Sequence, residues 1–227
     1  MGSPSRSQSP ISGSATHGYK FLESSDFGIL RVDPSQYQLV PRQQPKQAKV
    51  FSPKDKDRRT IEPPPIIQLK AITPAVADNY SDSALMGGNY LQNPYLIMYA
   101  AVIPAHNDGP IGSKPTATSA SGSASSPLAL GTLVSSLHRL KDLDNSDAGF
   151  FVFPDIAVRQ TGEFRIRYSL YELFDNRVHF LTSYISDVFV VYANKHYPGH
   201  CESTFLSRSF SDQGVRIRIR KEHRVKF

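Results

Sequence analysis

Two basic stretches and one small cluster of soft ligands are the places where residue type and spacing point to chemistry. Between Arg42 and Arg59 the chain carries seven basic residues (Arg42, Lys46, Lys49, Lys54, Lys56, Arg58 and Arg59) against Asp55 and Asp57. Val215 to Phe227 carries six against Glu222. Each stretch is net +5 within a chain of net charge +6, so the remainder sums to −4. Positive charge concentrated in this way is what a phosphate-binding surface requires. In the first stretch the cations stand among Pro, Gln and Ser, as in an extended loop. Such a loop can follow a DNA groove, with Lys and Arg on phosphates and a bidentate Arg on a guanine edge. The plain alternative is a solvated basic loop in which Arg58 and Arg59 pair with Asp55 or Asp57, pairs worth only ~0–1 kcal/mol. For VRIRIRKEHRVK a final strand with a solvated basic face is the preferred reading; direct DNA contact and a nuclear localisation run are the alternatives.

The soft ligands are His196, His200 and Cys201 in KHYPGHC. Three such groups can hold zinc, but Pro198-Gly199 makes a turn between them and no fourth ligand is evident, so the reading is a turn with a surface thiol and no metal. Nucleophile elbows, phosphate-binding glycine loops, dinucleotide fingerprints and paired zinc histidines are all missing from the sequence. Glu163, Glu172 and Asp175 lie near a strand and read as solvated or paired carboxylates. The expectation is a non-enzyme without a cofactor.

The elements that must carry these residues follow from periodicity. Phe164–Leu173 sets Phe164, Ile166, Tyr168 and Leu170 against Arg165, Arg167 and Ser169, the period of two of a half-buried strand. Val215–Lys221 alternates more regularly still. Further strands are expected at Tyr37–Gln43, Ile66–Ile72, Tyr95–Ile103, Leu130–Leu137, Phe150–Phe153, Val178–Ser183 and Val188–Ala193, and a short helix within Ser203–Gln213. Eight or nine short strands, with Pro and Gly supplying turns, predict an all-β antiparallel sandwich. Phe150–Phe153 (FFVF) reads as core and not as a stacking platform for bases. Pro63-Pro64-Pro65 predicts a stiff extended segment that pins the basic loop before the next strand.

The chain has 227 residues, enough for one large β domain with a real core. A single cysteine excludes an intrachain disulfide framework. No apolar run approaches the length of a membrane span. Residues 1–18 read as a disordered Ser/Pro/Gly leader without the apolar region of a secretory signal, and 19–227 as one domain. Gly112–Pro127, made of small polar residues, reads as a flexible insertion loop within it.

Three long strings go beyond composition. RQQPKQAKVFSPKDKDRRTIEPPPIIQL (Arg42 to Leu69) resembles the opening of the fungal velvet domain. GTLVSSLHRLKDLDNSDAGFFVFPDIAVRQTGEFRIRYSLYEL (Gly131 to Leu173) resembles its central block, and SDVFVVYANKHYPGHCESTFLSRSFSDQGVRIRIRKEHR (Ser186 to Arg224) its close. SSLHRLKD with ESTFLSRSFSDQG is most like the VosA/VelC-type members. The resemblance implies an immunoglobulin-like β-sandwich similar to the Rel homology fold of NF-kappaB. It also implies a nuclear regulator, able to shuttle from the cytoplasm, of sporulation, development and secondary metabolism. Such a protein binds promoter double-stranded DNA and forms a homodimer or a heterodimer with another velvet protein, VelB-like. An adaptor whose DNA affinity comes from that partner is the rival expectation. The resemblance places DNA contacts on Arg42, Lys46, Lys49, Lys54, Lys56, Arg58 and Arg59. Here Lys49 stands where the family usually has Arg, and VFSP replaces a more Gly-rich stretch.

Overall fold

Period-two alternation works out as two sheets facing one another across a shared apolar layer. The computed structural model describes residues 36–53, 59–72, 90–105 and 127–220. The expected leader, residues 112–126 of the expected insertion loop, and Lys54, Lys56 and Arg58 lie outside the described residues. The strands are β1 (Tyr37–Gln43), β2 (Gln47–Lys49), β3 (Ile66–Ala71), β4 (Leu96–Pro104), β5 (Ala129–Gly131), β6 (Val134–Ser136), β7 (His138–Lys141), β8 (Asp147–Val152), β9 (Ile156–Val158), β10 (Gly162–Phe174), β11 (Arg177–Ile185) and β12 (Phe189–Tyr192). One helix, α1 (Phe205–Asp212), follows them.

One sheet has the order β1-β3-β8-β7 and the other β2-β12-β10-β4-β6 with β11 also on β10, while β5 and β9 form a small third ladder. All pairings are antiparallel except β12 with β2, which is parallel. The long strand β10 organises the larger sheet. It runs beside β4 from Phe164 to Glu172, and on its other edge it meets first β12, at Gly162–Phe164, and then β11, at Arg167–Phe174. Where the partner changes, the Ser186 hydroxyl accepts the Ile166 N–H at 2.8 Å, so the ladder loses no acceptor.

The main core lies between the sheets. Ile67, Leu69, Phe151 and Phe153 on one side meet Leu96, Met98, Ile166, Tyr168 and Leu170 on the other, all buried. A second core lies on the opposite face of the four-stranded sheet, where Ile66, Phe150 and Val152 pack against Leu206, Phe210 and Ile217. That sheet is therefore buried on both faces, which explains why FFVF is a continuous apolar run instead of an alternating one. Thr204 caps α1 by accepting the Ser207 N–H at 3.1 Å. At the far end, Gln213 makes reciprocal hydrogen bonds to the Lys141 backbone, 2.7 and 2.9 Å, and fixes the helix to β7.

Three sequence expectations change. Leu130–Leu137 is not one strand: Gly131 turns the chain at φ +102°, where an added Cβ would lie 1.7 Å from the Asp155 carbonyl oxygen. The segment thus divides between β5 and β6, which belong to different sheets. Val215–Arg220 has no regular secondary structure and pairs with no described strand; Ile217 alone of its apolar residues is buried, against the second core. And β2, β7 and β9, of three or four residues each, are too short to produce a recognisable period. If α1 holds the outer core by the contact of Phe210 with Phe150, whose ring centroids are 4.6 Å apart, Phe210→Ala should lower stability by about 3–5 kcal/mol. Chemical denaturation followed by tyrosine fluorescence measures this, and an unchanged midpoint would contradict the docking role.

Candidate nucleic-acid interface

The basic segment does not lie on the molecule as one extended loop, because its cations are held in different ways. Arg42 belongs to β1, Lys49 to β2, and exposed Lys46 stands just before β2. The described ends of the segment are hydrogen-bonded to one strand: the Phe51 N–H donates to Val158 O at 2.7 Å, and the Ile61 N–H to Ile156 O at 2.8 Å. Both flanks of residues 54–58 are thus clamped on β9.

The RQQP residues serve mainly to join elements. The Arg42 guanidinium grips Asp142, in the turn between β7 and β8, through both terminal nitrogens, and it also donates to Gln68 Oε1 at 3.0 Å. It lies over the Phe150 ring, 5.8 Å from the centroid. Chiefly the hydrogen bond from Arg42, outweighing burial that pushes the other way, holds the Asp142 carboxyl below the ordinary aspartate range. The Gln43 side chain donates to Pro64 O at 2.6 Å and to Ser207 Oγ at 2.9 Å, and accepts from Thr204 Oγ1 at 2.5 Å. Gln44 donates to the Tyr184 hydroxyl at 2.6 Å. Sequence reasoning placed Arg42 among the groove-following cations; in the fold its fork is filled by a carboxylate.

Glu62 is the residue that sequence reasoning missed. Its side chain is buried, at 7% exposure, yet four donors converge on the carboxylate: Arg220 Nη2 at 2.6 Å, His200 Nδ1 at 2.8 Å, the Cys201 N–H at 2.9 Å and the Tyr197 hydroxyl at 3.0 Å. Its backbone accepts the Lys46 and Gln47 N–H groups and donates to Gln47 O. Arg59 completes the arrangement, with Nη1 2.5 Å from His200 Nε2. The peptide that follows, Glu62–Pro63, is cis, so the triple proline does not begin as an all-trans extended segment. A Glu followed by three prolines signals little by itself; its partners lie more than 130 positions away, beyond the reach of local spacing.

This arrangement accounts for the soft-ligand cluster as well. His200 is engaged on both ring nitrogens, His196 is exposed in a short 3-10 turn, and Cys201 is held through its backbone. Burial, followed by the Glu62 charge, raises the Cys201 thiol above its ordinary value, opposite to what a thiolate ligand needs. No group of three or more His, Cys, Asp or Glu side chains among the described residues is arranged to hold a metal.

Burial pushes the Glu62 carboxyl upward, but the hydrogen bonds from Cys201, His200 and Tyr197 and the charge of Arg220 outweigh it and hold it below the ordinary glutamate value of 4.5. A lowered folded-state value adds stability above the unfolded-state value, and that stability is lost as pH falls through the folded one. Glu62→Ala should therefore cost about 3–5 kcal/mol at neutral pH. The gap from wild type should narrow as pH drops below 4.5, measured by urea denaturation across pH. A gap independent of pH would show that the carboxylate charge is not what holds the junction.

Comparison with known proteins agrees with this architecture. Residues 37–129 and 102–224 match the velvet factor family. The chain is 42% identical over 202 residues to the spore development regulator RYP2 of Ajellomyces capsulatus, covering 86% of this chain and 45% of the relative. It is 44% identical over 191 residues to the spore development regulator VOSA of Pyricularia oryzae, covering 83% and 34%. To a velvet complex component of Chaetomium globosum it is 45% identical over 191 residues, covering 83% and 38%. The chain thus spans less than half the length of these curated relatives. With matches running in order from Tyr37 to Arg224 over the whole sandwich, the chain belongs to the velvet family and is similar to its VosA-type spore development regulators.

Proposed function

We propose that this chain is a velvet-type transcriptional regulator that binds promoter duplex DNA, acts in the nucleus, and takes part in fungal sporulation, development and secondary metabolism. The observation that carries the reading is the clamped basic segment, where seven cations fall between Arg42 and Arg59 and the described ends are both tied to β9. Fixing the ends of a segment lowers the ordering entropy that remains when it meets a ligand. The names of the relatives, spore development regulators and a developmental and secondary metabolism regulator, support the biological role.

Within the segment the cations divide. Lys46, Lys49, Lys54, Lys56, Arg58 and Arg59 are the proposed phosphate contacts. Arg42, engaged by Asp142, acts by fixing β1 to the β7–β8 turn.

A specific observation also favours dimerisation with a second velvet domain, of the same chain or VelB-like. Part of the outer face of the larger sheet presents exposed apolar side chains. Val134 pairs with Tyr99, Tyr171 with Phe180, and Leu173 with Val178 across β6, β4, β10 and β11. Val178, Phe180 and Val134 are 62%, 48% and 48% exposed. A cluster of exposed apolar side chains of this kind marks an interaction surface. That one relative is named as part of a velvet complex supports a velvet domain as the occupant.

Replacing Arg58 and Arg59 together by Ala should weaken binding to every duplex and reduce the slope of log K against log salt by about one unit per lost phosphate contact. Fluorescence anisotropy at several salt concentrations measures this; a folded double variant with an unchanged slope removes both residues from the interface. Phe180→Asp should turn a dimer into a monomer in sedimentation equilibrium while leaving the circular dichroism spectrum unaltered. A variant that still dimerises would place the contact on another face.

A further inference from the structure

Arg59 and Arg42 come from the same basic segment but are held by different chemistry. Arg42 faces a carboxylate, so its charge is locally cancelled. Arg59 faces His200 Nε2 at 2.5 Å, and no carboxylate reaches it among the described residues. A guanidinium has only donors to offer, so the Nε2 it meets must be the bare nitrogen of a neutral imidazole. The ring proton then sits on Nδ1 and is donated to Glu62 Oε1 at 2.8 Å. Glu62 is itself neutralised by Arg220 at 2.6 Å and fixed by the Tyr197 hydroxyl and the Cys201 N–H.

We infer that Glu62 and His200 are positioning residues that hold the Arg59 guanidinium in place without cancelling its charge, so that it meets a DNA phosphate pre-oriented. The inference rests on the DNA-binding reading proposed above. The carboxylate selects the imidazole tautomer, the imidazole accepts from the arginine, and among the described residues only that neutral group is hydrogen-bonded to the cation. This is the logic by which an outer carboxylate orients a histidine toward a metal ion, with a guanidinium in place of the metal. The charged and titratable groups around the ring are Glu62 and Arg59 on the segment entering the triple proline, Tyr197 and Cys201 on its own turn, and Arg220 on the C-terminal arm. Lys46 is close enough to act on the Cys201 thiol. Lys46, exposed and bound through its backbone N–H to Glu62 O at 3.0 Å, adds a second cation beside the same junction. A phosphodiester is the anion that such a pair fits, since one oriented arginine fork and one mobile ammonium can share its oxygens.

Two measurements test this. In the first, nitrogen-15 NMR of the imidazole in the DNA-free protein reads the tautomer directly. His200 Nε2 should resonate as an unprotonated nitrogen, and its shift should move in Arg59→Ala. A protonated Nε2, or one indifferent to Arg59→Ala, overturns the inference without any use of DNA. In the second, anisotropy titrations of a short mixed-sequence duplex follow wild type, His200→Ala, Arg59→Ala and the double variant. His200→Ala should weaken binding about threefold to tenfold in the wild-type background and have no further effect in the Arg59→Ala background, the non-additivity of a contacting pair. Equal losses in both backgrounds would mean that His200 acts on the fold and not through Arg59. A wild-type chain that fails to bind the duplex overturns the DNA reading and the positioning role together, with the NMR result separating that failure from an absent His200–Arg59 contact.

Discussion

A carboxylate buried at a junction of three chain segments is the constraint around which the molecule is arranged. Moving an ionised Glu out of water is tolerated only where its lone pairs are filled by good donors. Glu62 meets that condition by drawing donors from the turn around Tyr197–Cys201 and from Arg220 near the end of the described chain. Its backbone, meanwhile, is stitched to Lys46 and Gln47 at the start of β2. The parallel pairing of β2 with β12 depends on the same stitch, because β2 is three residues long and has no other described strand beside it. One residue thus fixes where the basic segment enters β2, where it re-enters before the prolines, and where the C-terminal arm lies.

The two sheets respond differently to the same alternating sequence logic. The four-stranded sheet is covered on its outside by α1 and by Ile217 of the arm, so residues of both parities along β3 and β8 are apolar and buried. On the larger sheet the outer parity mixes Arg165 and Arg167 with Tyr99, Tyr171 and Phe180, and Tyr99 and Phe180 are exposed among the described residues. A face meant only for water would not need aromatic residues at those positions. Core packing and surface composition therefore differ between the two outer faces: one is completed by α1 and the arm, and the other carries exposed apolar side chains, which is where the proposed dimerisation would act.

What the sequence made legible was what is local. Phe164–Leu173 was readable because a strand with one wet face repeats every two residues, and β10 extends that segment by only a few positions. The short helix fell within the expected Ser203–Gln213. Leu130–Leu137 misled because the pattern continues through Gly131, while the backbone there turns into a region that side chains rarely adopt. Val215–Arg220 misled in another way. Its alternation is real, but a single inward residue, Ile217, docks on a helix-covered core instead of joining a sheet. The Glu62 junction was illegible for a physical reason: its donors come from residues 197–220, and only the folded sheet order brings them to it. Charge counting found the basic segment but could not distinguish among its members, since net charge does not record what each cation faces.

That distinction determines how a basic segment works. An arginine bound to a carboxylate must break that bond, or share it, before a phosphate gains full use of its charge. For a partly buried pair such as Arg42–Asp142, breaking it also strands the aspartate. An arginine held by a neutral imidazole has no counter-charge to displace and has already lost part of its side-chain freedom. The first arrangement ties the domain together; on the proposed DNA-binding reading, the second prepares a contact. If the proposed DNA reading holds, their occurrence in one segment, on either side of β2, is how a short stretch of sequence serves as both scaffold and binding surface. The division also has a structural consequence for the family's RQQP opening: Arg42, Gln43 and Gln44 each reach a different element, the β7–β8 turn, the start of α1 and β11, so they tie the sandwich together from one edge. A change there acts on the placement of the whole basic segment before it acts on any single contact.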